Sequence, residues 1–182
     1  MIKVVSFLVL MMFSFFAHSD EKHISFGAQS ETNGSTYDVG FCARAKDMGG
    51  KGPGHAFVVF RKFDAEKKVV EYYTAGLAPG NKSVPYTEYG LIKPETYSHP
   101  TQECLIASTS KNKYKNALSY AKSFGEFEFG GVTVTINNTY SLLLNDCVTY
   151  MGAVAKYFGL ETPSRVTNMT PTRFVKALID KY

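Results

Sequence analysis

The chain has 182 residues, enough for one well-buried domain and too short for two large ones, with 20 basic against 16 acidic residues and a formal net charge of +4. Tyr and Phe are plentiful and Trp is absent. Lys and Arg are spread along the chain instead of gathered in a stripe, which argues against a nucleic-acid partner; the sequence has no CxxC pair or HExxH motif, and its "GGKGPG" leads into a strand where a phosphate loop would open a helix, so neither a metal nor a cofactor is expected.

At the N-terminus Lys3 precedes an apolar run, Val4 to Phe16, which closes with Ala17-His18-Ser19 ahead of Asp20-Glu21-Lys22. The run is shorter than the ~20 residues of a membrane span, and Ala17 and Ser19 are the small residues accepted by a signal peptidase. Residues 1–19 therefore read as a signal peptide, with an uncleaved anchor as the alternative. Residues 20–182 read as a single secreted or periplasmic domain with no integral membrane span after cleavage.

An exported chain meets oxidising conditions, and three cysteines leave one over. Cys42 in "YDVGFCARA" and Cys104 in "TQECLIAST" lie in strand-like stretches and are the candidates for a disulfide, which leaves Cys147 as an unpaired thiol. Two other readings stay open: all three cysteines free, or Cys147 bridged to Cys42 or Cys104.

The polar stretch from Asp20 to Thr36 is expected as a lead-in, followed by a strand over Tyr37 to Ala45 and a Gly-rich loop, "KDMGGKGPG". "HAFVVFRKF", His55 to Phe63, suits a strand buried on both faces, and "VVEYYTAGL" is its hairpin partner. An irregular crossing marked by Gly80, Pro85 and Pro94 then runs from Ala78 to Pro100 before a strand around Cys104 to Ala107. Tyr114, Ala117, Leu118, Ala121 and Phe124 recur at helical spacing, with Gly125 placed to stop the helix. "EFEFGGVTVTI" reads as strand structure broken at Gly130-Gly131. A second helix has Asn145 or Asp146 as cap, Cys147, Tyr150, Met151, Val154 and Phe158 on one face, and Gly159 as its stop. A third begins at Thr170-Pro171 with Phe174, Val175, Leu178 and Ile179 inward. The fold class is α+β.

Cys147 falls in the first turn of its helix, where free amide N–H groups and the helix dipole favour a thiolate. A buried cysteine that merely packs is the alternative. A nearby imidazole would activate the thiol and later protonate a leaving group. His18 leaves with the signal peptide, His23 lies in the lead-in and His99 in a Pro-flanked loop, so His55, which opens a buried strand after Gly52-Pro53-Gly54, is the candidate base. There the small glycine leaves room for an approaching group.

"GHAFVVF" followed far downstream by "YSLLLNDCVTYMGAVAKYFGL" resembles the circularly permuted papain-like hydrolases of the NlpC type, a group that includes lecithin:retinol acyltransferase relatives. The resemblance spans about Gly54 to Leu160 and has the His-bearing strand ahead of the Cys-bearing helix. It implies an antiparallel sheet packed on that helix, Cys147 as nucleophile, His55 as general base and a polar residue on the neighbouring strand to orient the imidazole. A hairpin symmetric about Ala65-Glu66 puts Tyr72, Thr74 and Gly76 on the His55 face, while a one-residue shift brings Glu71 or Tyr73 round; Thr74 is the choice. The oxyanion would rest on the Cys147 amide. The implied activity is cleavage of an amide or acyl bond, with peptidoglycan peptide and lipid as the leading substrates and amide hydrolysis the preferred reading. The competing reading is an exported binding or inhibitory module that keeps the scaffold without turnover.

Overall fold

The computed structural model describes residues 20–45, 54–79, 86–87, 90–95, 102–124, 134–136, 140–142 and 144–182. Residues 1–19, read above as a signal peptide, residues 46–53 of the Gly-rich loop, Gly80, Pro85, His99, Gly125 and Gly130-Gly131 lie outside them.

The architecture is α+β. Strands β1 (Asp20–Ser25), β2 (Thr36–Arg44), β3 (His55–Phe63), β4 (Val69–Pro79), β6 (Gly90–Lys93), β7 (Gln102–Thr109) and β8 (Val134–Ile136) form one sheet in the order β1-β7-β2-β3-β4-β6-β8. Strands β5 (Tyr86–Thr87) and β9 (Tyr140–Ser141) make a separate pair. Helices α1 (Lys111–Lys122), α2 (Cys147–Phe158) and α3 (Pro171–Asp180) complete the described elements.

The pleat sorts each strand into two sets. Val39, Phe41, Ala56, Val58, Phe60, Leu105 and Ala107 join the apolar sides of all three helices in one core, and Cys42, Phe57, Val59, Cys104 and Ile106 form a second cluster. Helix α2 lies on β3 and β4, and α3 on β7 and β2. Strand β3 is buried from Ala56 to Phe60 without alternation, as its unbroken apolar run requires.

Helix ends follow their capping chemistry. Ser110 and Thr170 cap α1 and α3 through their hydroxyls, with Pro171 at the first position of α3, and Gly159 closes α2 in the left-handed conformation. Of the two cap candidates for α2, Asp146 takes the role; the Asn145 backbone bridges to Ser141 instead.

Two expectations are corrected. The sheet is not antiparallel throughout, because β1 pairs in parallel with β7, Asp20 opposite Glu103 to Ser25 opposite Ser108. The polar "DEKHIS" shows no apolar alternation because β1 is an edge strand held by ladder hydrogen bonds, and the reversal between β1 and β2 leaves a gap one strand wide that β7 fills. The irregular crossing, in turn, contains β5 and β6; β6 pairs with the far end of β4, Gly76 opposite Lys93 to Pro79 opposite Gly90.

Cys42 and Cys104 face each other across the β2–β7 ladder and are joined by a disulfide, and Cys147 is free and buried. The expected pairing is therefore the one observed.

Candidate active site

Three chain segments meet at the start of β3. Gly54 turns the chain into the strand with φ of +85°, and a Cβ there would stand 2.6 Å from the Arg44 carbonyl oxygen, so only glycine fits. The small residue that makes room for the imidazole is a different one, Gly76: a Cβ built on it would sit 2.5 Å from His55 Nε2 and 3.1 Å from the Glu95 side chain.

Arg44 and His55 are cross-strand partners, and each holds one oxygen of Glu95. His55 Nε2 donates to Oε1 at 2.8 Å, and Arg44 Nη2 donates to Oε2 at 2.8 Å. The Arg44 guanidinium also lies over the Phe57 ring, and the imidazole stacks near the same ring. All three polar side chains are largely withdrawn from water, with Glu95 the most buried at 8 % exposure.

The Cys147 thiol is the ring's other neighbour, close enough to act on its protonation. With Nε2 committed to Glu95, Nδ1 is the nitrogen left to exchange a proton with sulfur. Burial pulls the His55 pKa down, but the hydrogen bonds from Cys147 and Glu95 and the charges behind them outweigh it, and the imidazole is raised to about 9. For Glu95, burial pushes upward, yet the His55 hydrogen bond and charge and the Arg44 charge hold the carboxyl below its ordinary value.

The start of α2 is braced from both sides. Asp146 Oδ1 accepts from the Val148 and Thr149 amides at 3.1 and 3.0 Å, and the Cys147 amide is not one of those it takes. Its Oδ2 accepts from Arg165 Nη2 at 2.5 Å, and Arg165 also donates to the carbonyls of Asn168 and Met169. Tyr140, buried beside this turn, has its hydroxyl pKa raised by burial, with the Cys147 and Asp146 charges adding and Arg165 opposing, so it keeps its proton.

Of the residues singled out from sequence, Cys147 and His55 are brought together. Thr74 is placed elsewhere: its hydroxyl donates to the Glu95 carbonyl and accepts from the Glu95 amide, both at 2.7 Å, so it clamps the main chain of the residue that holds the imidazole. Tyr72 and Thr74 do fall on the His55 side of the hairpin, opposite Arg61 and Val59, although a register shift at Lys62/Phe63 moves the pairing from the symmetric expectation. Glu95 and Arg44 were missed. The signal for Glu95 was "GLIKPE", a short β-forming run ended by a proline and followed by an acid, and its partner depends on a pairing, β4 with β6, that is not local.

No family model, curated protein or solved structure matches the chain.

Proposed function

We propose that the protein is an exported thiol hydrolase with the permuted papain-like arrangement, in which Cys147 is the nucleophile, His55 the general base and acid, and Glu95 the group that orients the imidazole. What supports this reading is that His55 is held by Glu95 through Nε2 while the Cys147 thiol lies close enough to the same ring to raise its pKa. Cys147 Sγ, having passed its proton to His55, whose raised pKa keeps it there, attacks the carbonyl carbon of an amide or ester. The tetrahedral oxyanion is held by the Cys147 amide at the first turn of α2, which Asp146 leaves free for it. Collapse expels the amine or alcohol, protonated by His55, and leaves a thioester on Cys147. Water, deprotonated by His55, then releases the acid and restores the thiol.

The roles divide as follows. Arg44 neutralises and fixes the second oxygen of Glu95, and Thr74 fixes the Glu95 backbone, so both are positioning residues. The Cys42–Cys104 disulfide suits the export implied by residues 1–19. Among the described residues no helix is long and apolar enough to cross a membrane.

The test is iodoacetamide alkylation of Cys147 at neutral pH, in the protein and in its His55→Ala and Glu95→Gln variants. Rapid labelling that falls about tenfold or more without His55 supports the dyad. Labelling equally slow in all three would leave a packed cysteine and favour the binding module.

A further inference from the structure

Beside the start of α2, the helix that carries Cys147, lie apolar side chains that the core does not use. Leu142 and Leu144, in the turn that leads into α2, are 37 % and 78 % exposed; Val166 and Met169, in the segment between α2 and α3, are 77 % and 51 % exposed. They come from two stretches of chain, yet they are joined. Arg165 pairs with Asp146, two residues from Leu144 and next to Cys147, and the same guanidinium holds the Met169 carbonyl. The Thr149 hydroxyl in turn donates to the Leu144 carbonyl. A rim held by hydrogen bonds and an ion pair keeps these aliphatic side chains in water, where covering them would gain the free energy of their burial.

The charge around the rim says what covers it. From Thr162 to Ile179 the sequence contains no acidic residue, and Arg173 and Lys176 are exposed on α3, which starts two residues after Met169. The acid within the rim, Asp146, is 1 % exposed and taken by Arg165. Aliphatic side chains followed by Arg173 and Lys176, with exposed carboxylates only at the ends of the stretch, Glu161 paired with Lys181 and Asp180 at the last turn of α3, match a surface that is hydrocarbon below and anionic above.

We infer that Leu142, Leu144, Val166 and Met169, flanked by Arg173 and Lys176, dock the protein on an anionic lipid surface and present the Cys147 site to an acyl group held there. The substrate class rests on the hydrolase reading; the docking itself does not. A lipid surface accounts for both halves of the rim, since acyl chains receive the aliphatic side chains and headgroup phosphates receive the cations. A second copy of this chain would receive the first and repel the second.

The test is co-sedimentation with vesicles of phosphatidylcholine containing phosphatidylglycerol, using the protein as recovered after export, alongside the double variant Leu144→Asp/Val166→Asp and Cys147→Ala. The wild-type protein and Cys147→Ala should bind alike, binding should weaken when phosphatidylglycerol is left out, and the double variant should partition at least about tenfold less while alkylating Cys147 at the wild-type rate. That last readout also shows that the variant is folded. Equal partition of wild type and double variant, or no binding by either, overturns the proposal, as does a wild-type dimer in size-exclusion chromatography that the double variant abolishes. If Cys147 proves inert while the vesicles still bind, the hydrolase reading fails and the docking stands.

Discussion

At the scale of single residues the site is a chain of charges, Arg44 to Glu95 to His55 to Cys147, and its behaviour with pH follows from the signs of the shifts. His55 is raised above 6.5, so its contribution to stability is complete below that value and is lost as pH rises through about 9. Glu95 is lowered below 4.5, so its contribution is present above 4.5 and is lost as pH falls through its folded value. The difference in unfolding free energy between the protein and Glu95→Gln is therefore expected to be largest between 4.5 and 6.5 and to shrink on both sides, which denaturant titrations at a series of pH values will read. In the same variant the His55 ring protons, followed by NMR, should titrate at lower pH than in the wild type, and the alkaline limb of any Cys147-dependent rate should move with them. Gly76→Ala tests the geometry without touching a charge. Its methyl would stand 2.5 Å from His55 Nε2, so the ring must swing away, with alkylation of Cys147 slowed to the level of His55→Ala and about 1–3 kcal/mol of stability lost.

At the scale of elements, the reading from sequence succeeded where structure is decided within a few residues. Helices α2 and α3 announce themselves by a cap, a first-turn proline in one case, and apolar spacing of 3.6, and their inward faces are those expected, down to Gly159 as the left-handed stop. His55–Phe63 is a strand at the predicted bounds because its apolar run is too dense for anything exposed. The misses are long-range pairings. β1 is a polar edge strand that exists only because β7 offers it a ladder, and β6 lies in a Pro- and Gly-marked crossing whose strand character comes from β4. The same distinction separates the site residues: Cys147 and His55 carry local signatures, whereas Glu95 joins them only through the β4–β6 register, and Thr74, on the expected face, does its work one step further out. Asp146 links the helix start to the rim, and its replacement shows how much that joint carries. Asp146→Ala removes a cap and strands Arg165, and should cost about 3 kcal/mol in chemical denaturation, with Asp146→Asn recovering the share that belongs to capping.

At the scale of the whole molecule, the sheet is bolted towards one edge. The Cys42–Cys104 bond ties the adjacent strands β2 and β7 across a sequence separation of 62 residues, and replacing both cysteines with alanine should lower the unfolding free energy by about 2–5 kcal/mol, measured against guanidinium. The order β1-β7-β2 has a further consequence, for the history of the chain. The hairpin from β2 through β4 closes between near neighbours in sequence, but β7, the strand that separates β1 from β2, is synthesised after β1 to β6. Until residue 109 has emerged, Asp20 to Ser25 has no ladder to join and Cys42 has no partner. Asp20 to Ser25 thus stays unpaired through the first half of synthesis, and the arrival of β7 supplies its ladder and the disulfide partner of Cys42 together. Refolding of the disulfide-intact chain should accordingly outpace that of the reduced chain, because the bond holds β7 beside β2 before any search begins.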